Sequence, residues 1–405
     1  MNQYILCLNT GSSSLKFAIY DASDLSHVVM NGSAEKVGLK DSRLKIERGA
    51  HLILDRELSI PTHEKALFEF VAVIKEAELS SFTACVHRLV HGGAELIDPT
   101  LVDHAMRSNL QSIVELAPLH LPSELAVLDA TTIAYPETPQ IVCFDTAFHQ
   151  RMPDVAKRLP LPSDLWSKGI RRYGFHGLSY ESIVSQLGEK LSERSIIAHL
   201  GNGCSMVALK EGIPQDTTMG LTPTGGLMMG SRSGDLDPGT LFYLMRSHLS
   251  KVQSGNTQTA ITRTEHTLNY DSGLLGVSGT SRNMEVLLKE EKTSTQAKQA
   301  IELFCYSARK FLGSLSAILG GLDNLVFTGG IGENSPIIRN RICEGLEFLG
   351  IRIDTSGNES NAPVISPIED GPSHCTVRVL HTDENLIMAR HAIKLLSVTG
   401  DSWTH

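Results

Sequence analysis

The chain has 405 residues, more than a single hydrophobic core usually organises, which predicts two domains with a cleft between them. Hydrophobic residues make up 41% and charged residues 20% of the chain, values that are typical of globular proteins and disfavour a disordered, fibrous or membrane-spanning chain. The 36 lysines and arginines against 45 aspartates and glutamates give a net charge of -9, which disfavours nucleic acid or an anionic membrane surface as a partner. Any anionic ligand must therefore be bound by a few locally placed cations.

Two further features concern the compartment. No apolar run approaches the roughly 18 residues that span a bilayer, and the apolar segment at residues 5–8 gives way at once to Asn9 and Gly11. The seven cysteines are scattered and never spaced as CxxC, so neither a disulfide framework nor a zinc site is indicated, and we expect reduced, buried packing residues. Both features predict a cytoplasmic protein.

The N-terminal segment, residues 5–20, predicts two strands joined by a Gly/Ser turn. The same plan recurs about half a chain later, where Gly203 takes the place of Gly11 and Ser205 that of Ser13. This repeat predicts two related domains, each opening with a hairpin whose turn backbone can approach a ligand. A chance match of two Gly/Ser hairpins is the alternative.

Helices and strands alternate along the rest of the chain. Thr62 is a suitable N-cap for an amphipathic helix through residue 74, and a longer apolar pattern at residues 301–318 ends at Gly320 as a helix C-terminus would. A short strand is predicted at residues 325–328, and a strand and helix at 377–380 and 383–396. The mixture indicates an α/β protein.

Three Gly-rich turns follow apolar strands, at Asn9–Ser14, Gly201–Ser205 and Gly329–Asn334. Backbone N–H groups in such turns can bind an anion, and glycines let phosphate oxygens come close. A P-loop motif is absent from the sequence. One such turn alone is more often a tight hairpin, but three in one chain favour a nucleotide held by two domains.

Ionisable residues are concentrated in four short stretches, at residues 87–93, 144–149, 171–177 and 230–239. Each of them could equally form a loop ion pair or contain a histidine whose hydrogen bonds are satisfied within the fold. For the adjacent Arg171 and Arg172 we expect solvated charges.

Residues 9–16 and 87–93 resemble the two signature segments of the acetate kinases, the acetokinase family. The similarity continues in order through residues 144–149, 172–177, 199–203, 230–238, 327–334 and 382–384. It implies a duplicated actin-like (ribonuclease H-like) ATPase fold with an interdomain active-site cleft, and a homodimer. It also implies an N-terminal domain of residues 1–146 plus 383–405, closed by the C-terminal helix, and a second domain of residues 147–382 that carries most of the nucleotide site.

The resemblance also implies a role for each matching residue. Arg88 and Arg232 would bind the substrate carboxylate and the transferred phosphoryl group, because a planar guanidinium can bind either one in bidentate fashion. His176 would donate to phosphoryl oxygens, and Asp145 would be a catalytic carboxylate. Asn9 and Glu384 would hold Mg²⁺, for which Mn²⁺ could substitute. The residues implied to bind ATP or ADP are Lys16, His199, Leu200, Gly201, Asn202, Gly203, Asn283, Met284, Glu285, Gly330, Ile331, Gly332, Glu333 and Asn334.

The reaction that the resemblance implies is a direct, in-line and reversible transfer of the γ-phosphoryl group of ATP to acetate, giving acetyl phosphate and ADP. The apolar residues Val90, Leu119, Phe175 and Pro223 match the family's pocket for the methyl group. Because one methylene changes binding by only about 1 to 3 kcal/mol, propionate or another short carboxylate is the alternative substrate.

Two positions depart from the family near its adenosine contacts. Asn283 and Glu285 stand where the family usually has Asp and Arg, which reverses one charge and suggests a weakened or altered nucleotide preference; local drift without effect is the alternative. Two other functions stay open, a sugar kinase on the same fold and a non-enzymatic, ATP-dependent partner binder of the actin or Hsp70 type. The apolar pocket disfavours the sugar kinase, and the paired arginines disfavour the partner binder.

Overall fold

A computed structural model describes residues 3–79, 81–250, 256–367 and 375–399. The strands, in chain order, are β1 (Tyr4–Gly11), β2 (Ser14–Asp21), β3 (Asp24–Glu35), β4 (Ser42–Arg48), β5 (His51–Leu58), β6 (Phe82–Leu89), β7 (Thr100–Leu101), β8 (Gln140–Phe144), β9 (Arg194–Leu200), β10 (Cys204–Lys210), β11 (Ile213–Thr217), β12 (Asn324–Thr328) and β13 (Thr376–Val379). The α-helices are α1 (His63–Glu76), α2 (His104–Ser112), α3 (Leu121–Ala134), α4 (Asp154–Lys157), α5 (Ser163–Ser167), α6 (Gly177–Leu187), α7 (Pro238–Ser250), α8 (Thr257–Tyr270), α9 (Gly273–Ser278), α10 (Met284–Glu290), α11 (Thr295–Leu319), α12 (Gly329–Asn334), α13 (Pro336–Cys343), α14 (Thr355–Glu359) and α15 (Glu384–Thr399).

The chain divides into two compact units. The first comprises Met1–Gln150, His176–Ser182 and Asp383–His405, and the second comprises Arg151–Phe175 and Ile183–Thr382. Residues 147–150 and 176–182 therefore belong to the first unit, whereas the domain boundaries implied by the family resemblance place them in the second.

The first unit is built on a sheet with the strand order β5-β4-β3-β2-β1-β6-β8-β7. Strands β1, β2 and β3 pair antiparallel, whereas β1, β6 and β8 pair parallel. Helices cover both faces, with α1 and α3 packing on one side and α15 on the other. This explains why β1 and β6 are almost continuously apolar, because side chains on both faces of these strands are buried.

The sheet of the second unit has the order β11-β10-β9-β12-β13. Strands β9, β10 and β11 pair antiparallel, and β9, β12 and β13 pair parallel, which repeats the arrangement at the centre of the first sheet. The two hairpins predicted from the repeat are present, closed by Gly11 opposite Ser14 and by Leu200 opposite Cys204. The duplicated actin-like α/β fold predicted from the sequence is therefore confirmed.

Two helix termini lie where the sequence predicts them. Thr62 accepts the N–H of Lys65 and caps α1, whereas α11 ends at Gly320 in the left-handed conformation. The segment Gly329–Asn334, predicted as a turn, is instead the short helix α12.

The cysteine prediction is also confirmed, since all seven are buried and free. Among the described residues, no helix combines the length and the apolar character needed to cross a membrane.

Candidate active site

Four residues singled out in the sequence meet in one cluster of the first unit, which we call the Arg88 cluster: Asn9, Arg88, Asp145 and Glu384. Arg88 donates from Nε to Asp145 Oδ1 at 3.0 Å and from Nη2 to Asp145 Oδ2, and from Nη1 to Asn9 Oδ1 at 3.2 Å. Asn9 Nδ2 in turn donates to Glu384 Oε2 at 2.7 Å. One guanidinium is thus held by a bidentate carboxylate and by an amide that is itself bonded to a second carboxylate.

The topology of the sheet explains why these residues meet. Asn9 lies opposite Arg88 where β1 pairs with β6, and Asp145 directly follows β8, the next parallel strand. Carboxyl ends of parallel strands share one edge of a sheet, so polar residues that follow each strand come together there. Glu384 reaches the same edge as the first residue of α15, which packs on β1 and β6.

Burial makes the charges of the cluster strongly interdependent. Burial raises the pKa of Asp145, and the Arg88 guanidinium opposes that shift. For Arg88 burial lowers the pKa, but Asp145 and Glu384 outweigh it, so the pKa is raised and the guanidinium stays charged. The Arg88 cluster therefore offers a permanent cation together with two carboxyl groups, in a setting where electrostatic interactions are little screened.

Asp145 is also fixed through its backbone. The N–H of Gly177 donates to the Asp145 carbonyl at 3.0 Å, and a Cβ on Gly177 would overlap that carbonyl. The preceding residue, His176, adopts a positive φ of 60°, and its backbone hydrogen-bonds to Asp145. A positive φ is unusual for a residue other than glycine, so the structure orients His176 at a conformational cost.

In the second unit, three predicted ligand-binding segments lie together: the turn at Gly201–Gly203, the loop at Gly230–Arg232, and α12. Strands β9 and β12 end side by side, and the Gly230 N–H donates to the Asn202 carbonyl at 3.0 Å. A Cβ built on Gly201 would lie 3.9 Å from the backbone nitrogen of Gly330, whereas one on Gly330 would meet no atom within 4 Å. Backbone at this edge of the sheet is thus open to a ligand.

A hydrogen-bond network that no sequence pattern predicts holds α12 in place. Arg339 of α13 is fully buried and donates from Nη1 to the carbonyls of Gly332 and Glu333, at 2.8 and 3.0 Å. Its remaining donors bind Asn358 and Asn361. No local pattern marks Arg339, because its partners come from three other segments.

The Glu333 side chain contributes to the same rigidity. Its Oε1 accepts the Gly329 N–H at 2.9 Å and the Thr328 hydroxyl at 3.1 Å, and its Oε2 lies 2.6 Å from His381 Nδ1. Both carboxylate oxygens are therefore used within the second unit, whereas the family resemblance implies nucleotide contact for this residue.

Arg232 and the pocket residue Pro223 are adjacent, since Arg232 Nη1 donates to the Pro223 carbonyl at 3.2 Å. Phe175, in the same unit, is fully buried. The other two predicted pocket residues belong to the first unit, where Val90 is buried directly after β6 and Leu119 is half-buried ahead of α3.

Asn283, Met284 and Glu285 form the start of α10. Asn283 caps the helix by accepting the N–H groups of Glu285 and Val286, and Met284 is buried. The Glu285 carboxylate lies 2.6 Å from Lys289 Nζ, with both side chains exposed, and this bond lowers the pKa of Glu285. The charge that departs from the family pattern thus has a cation beside it.

Lys16 and the arginine pair complete the predicted residues. Lys16 is exposed on β2, where it lines a groove of about 370 Å³. The prediction of solvated charge was wrong for Arg172, whose Nη1 donates to the carbonyls of Thr217 and Thr218, while Arg171 lies over the ring of Trp166 at 5.0 Å. Arg172 Nε also lies 3.8 Å from Asp216 Oδ1, so backbone carbonyls and a carboxylate surround this guanidinium.

Within the Arg88 cluster, the Glu384 carboxylate is an oxygen donor of the kind that a magnesium ion takes. Mg²⁺ prefers oxygen ligands and is usually bound by one or two carboxylates together with water and phosphate oxygens. Glu384 offers one partly exposed carboxylate, held in place by its bond to Asn9. Among the described residues no cluster of three or more His, Cys, Asp or Glu side chains could hold a metal ion.

Comparison with known proteins gives the family. Residues 4–390 match the Acetokinase family. The chain is 39% identical to an acetate kinase of Dictyoglomus thermophilum, over 97% of this chain and 99% of that protein, and 41% identical to one of Rhodopseudomonas palustris, over 98% and 99%.

Solved structures extend the comparison to three dimensions. A propionate kinase from Francisella tularensis has a TM-score of 0.85 at 34% identity, covering 96% of this chain and 98% of that one. An acetate kinase from Porphyromonas gingivalis has a TM-score of 0.81 at 35% identity, covering 97% and 100%. On family match, sequence identity and shared fold alike, the chain belongs to the acetokinase family.

Proposed function

We propose that the protein catalyses the reversible transfer of the γ-phosphoryl group of ATP to acetate, giving acetyl phosphate and ADP. The observation that carries the proposal is the Arg88 cluster. A permanently charged, bidentately fixed guanidinium lies two residues from the apolar Val90, as recognition of a small carboxylate with a short apolar tail requires. Membership of the acetokinase family supports the same function.

The proposed mechanism needs no strong general base, because acetate is already ionised at neutral pH. One acetate oxygen attacks the γ-phosphorus in line, the bond from that phosphorus to the bridging oxygen breaks, and ADP leaves with the electron pair. Arg88 orients the acetate, Asp145 fixes Arg88, and Arg232 and His176 stabilise the charge on the equatorial phosphoryl oxygens. Catalysis then comes from positioning and charge neutralisation.

We propose that Glu384 and Asn9 hold a magnesium ion, with manganese as a substitute. When bound, such an ion would neutralise part of the phosphate charge. ATP and ADP would be bound by Lys16, by residues 199–203 and 330–334, and by Asn283–Glu285. Support for the nucleotide assignment in the second unit comes from the open backbone at Gly330, next to Gly201.

The similar solved structures differ in the size of the carboxylate that they are named for, because one is named a propionate kinase and others are named acetate kinases. We propose that Val90, Leu119, Phe175 and Pro223 line a pocket for the methyl group of acetate. The test traps acyl phosphate with hydroxylamine while the chain is supplied with ATP and acetate, propionate or butyrate. We expect kcat/KM to be highest for acetate and about 10-fold or more lower for butyrate.

Two results would contradict the proposal. A maximum at butyrate would refute the acetate pocket. ATP hydrolysis that is indifferent to every carboxylate would favour the non-enzymatic partner binder instead.

We also propose a homodimer, supported by an apolar groove on the second unit. Leu236, Leu244, Leu303 and Tyr306 line this groove of about 470 Å³, and Tyr306 is 66% exposed. Exposed apolar patches of this kind mark association surfaces. We expect sedimentation to show a dimer of the 44.1 kDa chain and Tyr306→Glu to weaken it. A wild-type monomer at micromolar concentration would refute the proposal.

We finally propose a cytoplasmic location. The seven free, buried cysteines support it, because such thiols persist in a reducing compartment.

A further inference from the structure

Glu124 is a buried carboxyl group that the proposed mechanism does not use. It lies in the first turn of α3 with only 1% of its surface exposed, and its Oε2 accepts the backbone N–H of Val90 at 3.0 Å. Its Oε1 is buried and has no hydrogen-bond partner among the described residues. Unlike Asp145, it forms no ion pair in the part of the chain that the structure describes.

This geometry favours the neutral acid. An ionised carboxylate stabilised by a single backbone N–H, with its second oxygen bare, is costly to bury. Burial raises the pKa of Glu124 to about 8, against the opposing effects of Arg88 and the Val90 N–H, and Asp145 raises it further. At neutral pH the group is therefore protonated in most molecules.

The charged surroundings of Glu124 come from two strands. Arg88 on β6 and Asp145 after β8 shift the pKa of its carboxyl group. The other elements that pack against α3 are α1 and β1, and they share its core through apolar residues such as Phe70 and Leu8. Two buried histidines are near in sequence, His91 beside Val90 and His120 at the N-cap of α3.

We propose that Glu124 is a positioning residue of the acetate pocket: as a neutral acid it holds the Val90 backbone and leaves the Arg88 charge to the substrate, and once ionised it competes with acetate for that charge. The inference rests on the proposed roles of Arg88 and Val90. Asp145 already binds two of the guanidinium's N–H groups and partly neutralises its charge. A further negative charge nearby therefore weakens the attraction of Arg88 for acetate.

The test is the pH dependence of KM for acetate, measured between pH 6.5 and 9.5 in the wild type and in Glu124→Gln. Glutamine has the same shape as the neutral acid, and it can accept the Val90 N–H but cannot ionise. A single ionisation near pH 8 that blocks acetate binding raises KM about tenfold between pH 7 and pH 9. We expect that rise in the wild type, a flat profile in Glu124→Gln, and little change in kcat or in KM for ATP in either protein.

Stability gives a second readout. Because the folded-state pKa of Glu124 is raised above its usual value, the stability due to the neutral acid is complete below about pH 4.5 and is lost as the pH rises through 8. Glu124→Gln should therefore have a higher melting temperature than the wild type at pH 9. If the glutamine variant does not fold, Glu124→Asn serves as the second neutral substitution.

Each alternative outcome overturns the inference. If KM for acetate rises equally with pH in both proteins, another group titrates. If KM for acetate is independent of pH in both, Glu124 does not act on acetate binding. A change in kcat alone would place the effect on phosphoryl transfer. The variant Val90→Ala, assayed at pH 7, tests the proposed pocket separately. An unaltered preference between acetate and propionate in this variant would refute the pocket. An altered preference, together with a pH dependence of KM that contradicts the expectation above, would refute only the role of Glu124.

Discussion

Arg339 provides the sharpest test of how α12 is held. The substitution Arg339→Met keeps most of the side-chain volume but removes five hydrogen bonds. Nε donates to Asn358 Oδ1 at 2.8 Å, and Nη1 donates to the carbonyls of Gly332 and Glu333. Nη2 donates to the Asn358 carbonyl at 2.7 Å and to Asn361 Oδ1 at 2.6 Å. The guanidinium is fully buried and its hydrogen bonds are made to carbonyl and amide oxygens. All five of its N–H groups are used.

The expected cost follows from these contacts. A hydrogen bond to a charged group contributes about 1.5 to 3 kcal/mol, but burying the guanidinium costs several kcal/mol, so the sum of five bonds overstates the loss. We expect Arg339→Met to lower the free energy of unfolding by about 3 to 5 kcal/mol, because five oxygen acceptors lose this donor at about 1 to 3 kcal/mol each, and removal of the buried charge offsets part of that loss. Because two of the lost bonds fix the end of α12, KM for ATP should rise more than KM for acetate.

Arg341, on the same helix, is the matched control. It makes a bidentate ion pair with Glu291 at 2.7 and 3.0 Å, but its side chain is 34% exposed. Exposed pairs contribute up to about 1 kcal/mol, and this pair exceeds that because it is bidentate and Glu291 is only 18% exposed; Arg341→Met should still cost clearly less than Arg339→Met, because it removes two hydrogen bonds rather than five. Urea unfolding of both variants measures the difference. Equal losses in the two variants, or a loss below about 1 kcal/mol for Arg339→Met, would refute the reasoning.

Four further predictions concern the site and its support. Arg232→Ala should lose about 10² to 10³ in kcat, as when one preorganised donor to developing negative charge is removed, and near-normal turnover would remove Arg232 from the mechanism. Gly177→Ala should lower the free energy of unfolding by about 1 to 3 kcal/mol in urea titrations, because the added Cβ overlaps the Asp145 carbonyl; an unchanged midpoint would contradict this. Burial lowers the pKa of His87 to about 4, and its hydrogen-bond partner Gln140 carries no charge that could stabilise the imidazolium, so the unfolded chain takes up a proton first. Neutral His87 should therefore contribute about 3 kcal/mol to the free energy of unfolding above pH 6.5, and this contribution should be lost as the pH falls to 4. An equal loss in His87→Gln would show that another group causes it. Glu285→Gln should change KM for ATP less than about twofold because Lys289 already neutralises the charge, and a change above tenfold would restore Glu285 as a determinant of nucleotide choice.

The order of the main elements could be predicted from local sequence. Apolar runs, the Thr62 cap and the terminal Gly320 mark the main elements because strand burial and helix capping depend on neighbouring residues. The repeated hairpin predicts the duplicated sheets because both copies keep the same turn between apolar strands. Similarity to a family then supplies candidate roles for individual residues.

Tertiary structure alone decides which of those residues meet, and which others support them. Asp145 binds Arg88, and Glu384 reaches Asn9, because parallel strands end at one edge and α15 returns to it from the far end of the chain. Glu124 and Arg339 carry no signal in their own segments, since a glutamate in the first turn of a helix and an arginine in a mixed helix are ordinary there. Their importance comes from burial, and burial depends on the packing of segments distant in sequence, which local patterns do not encode.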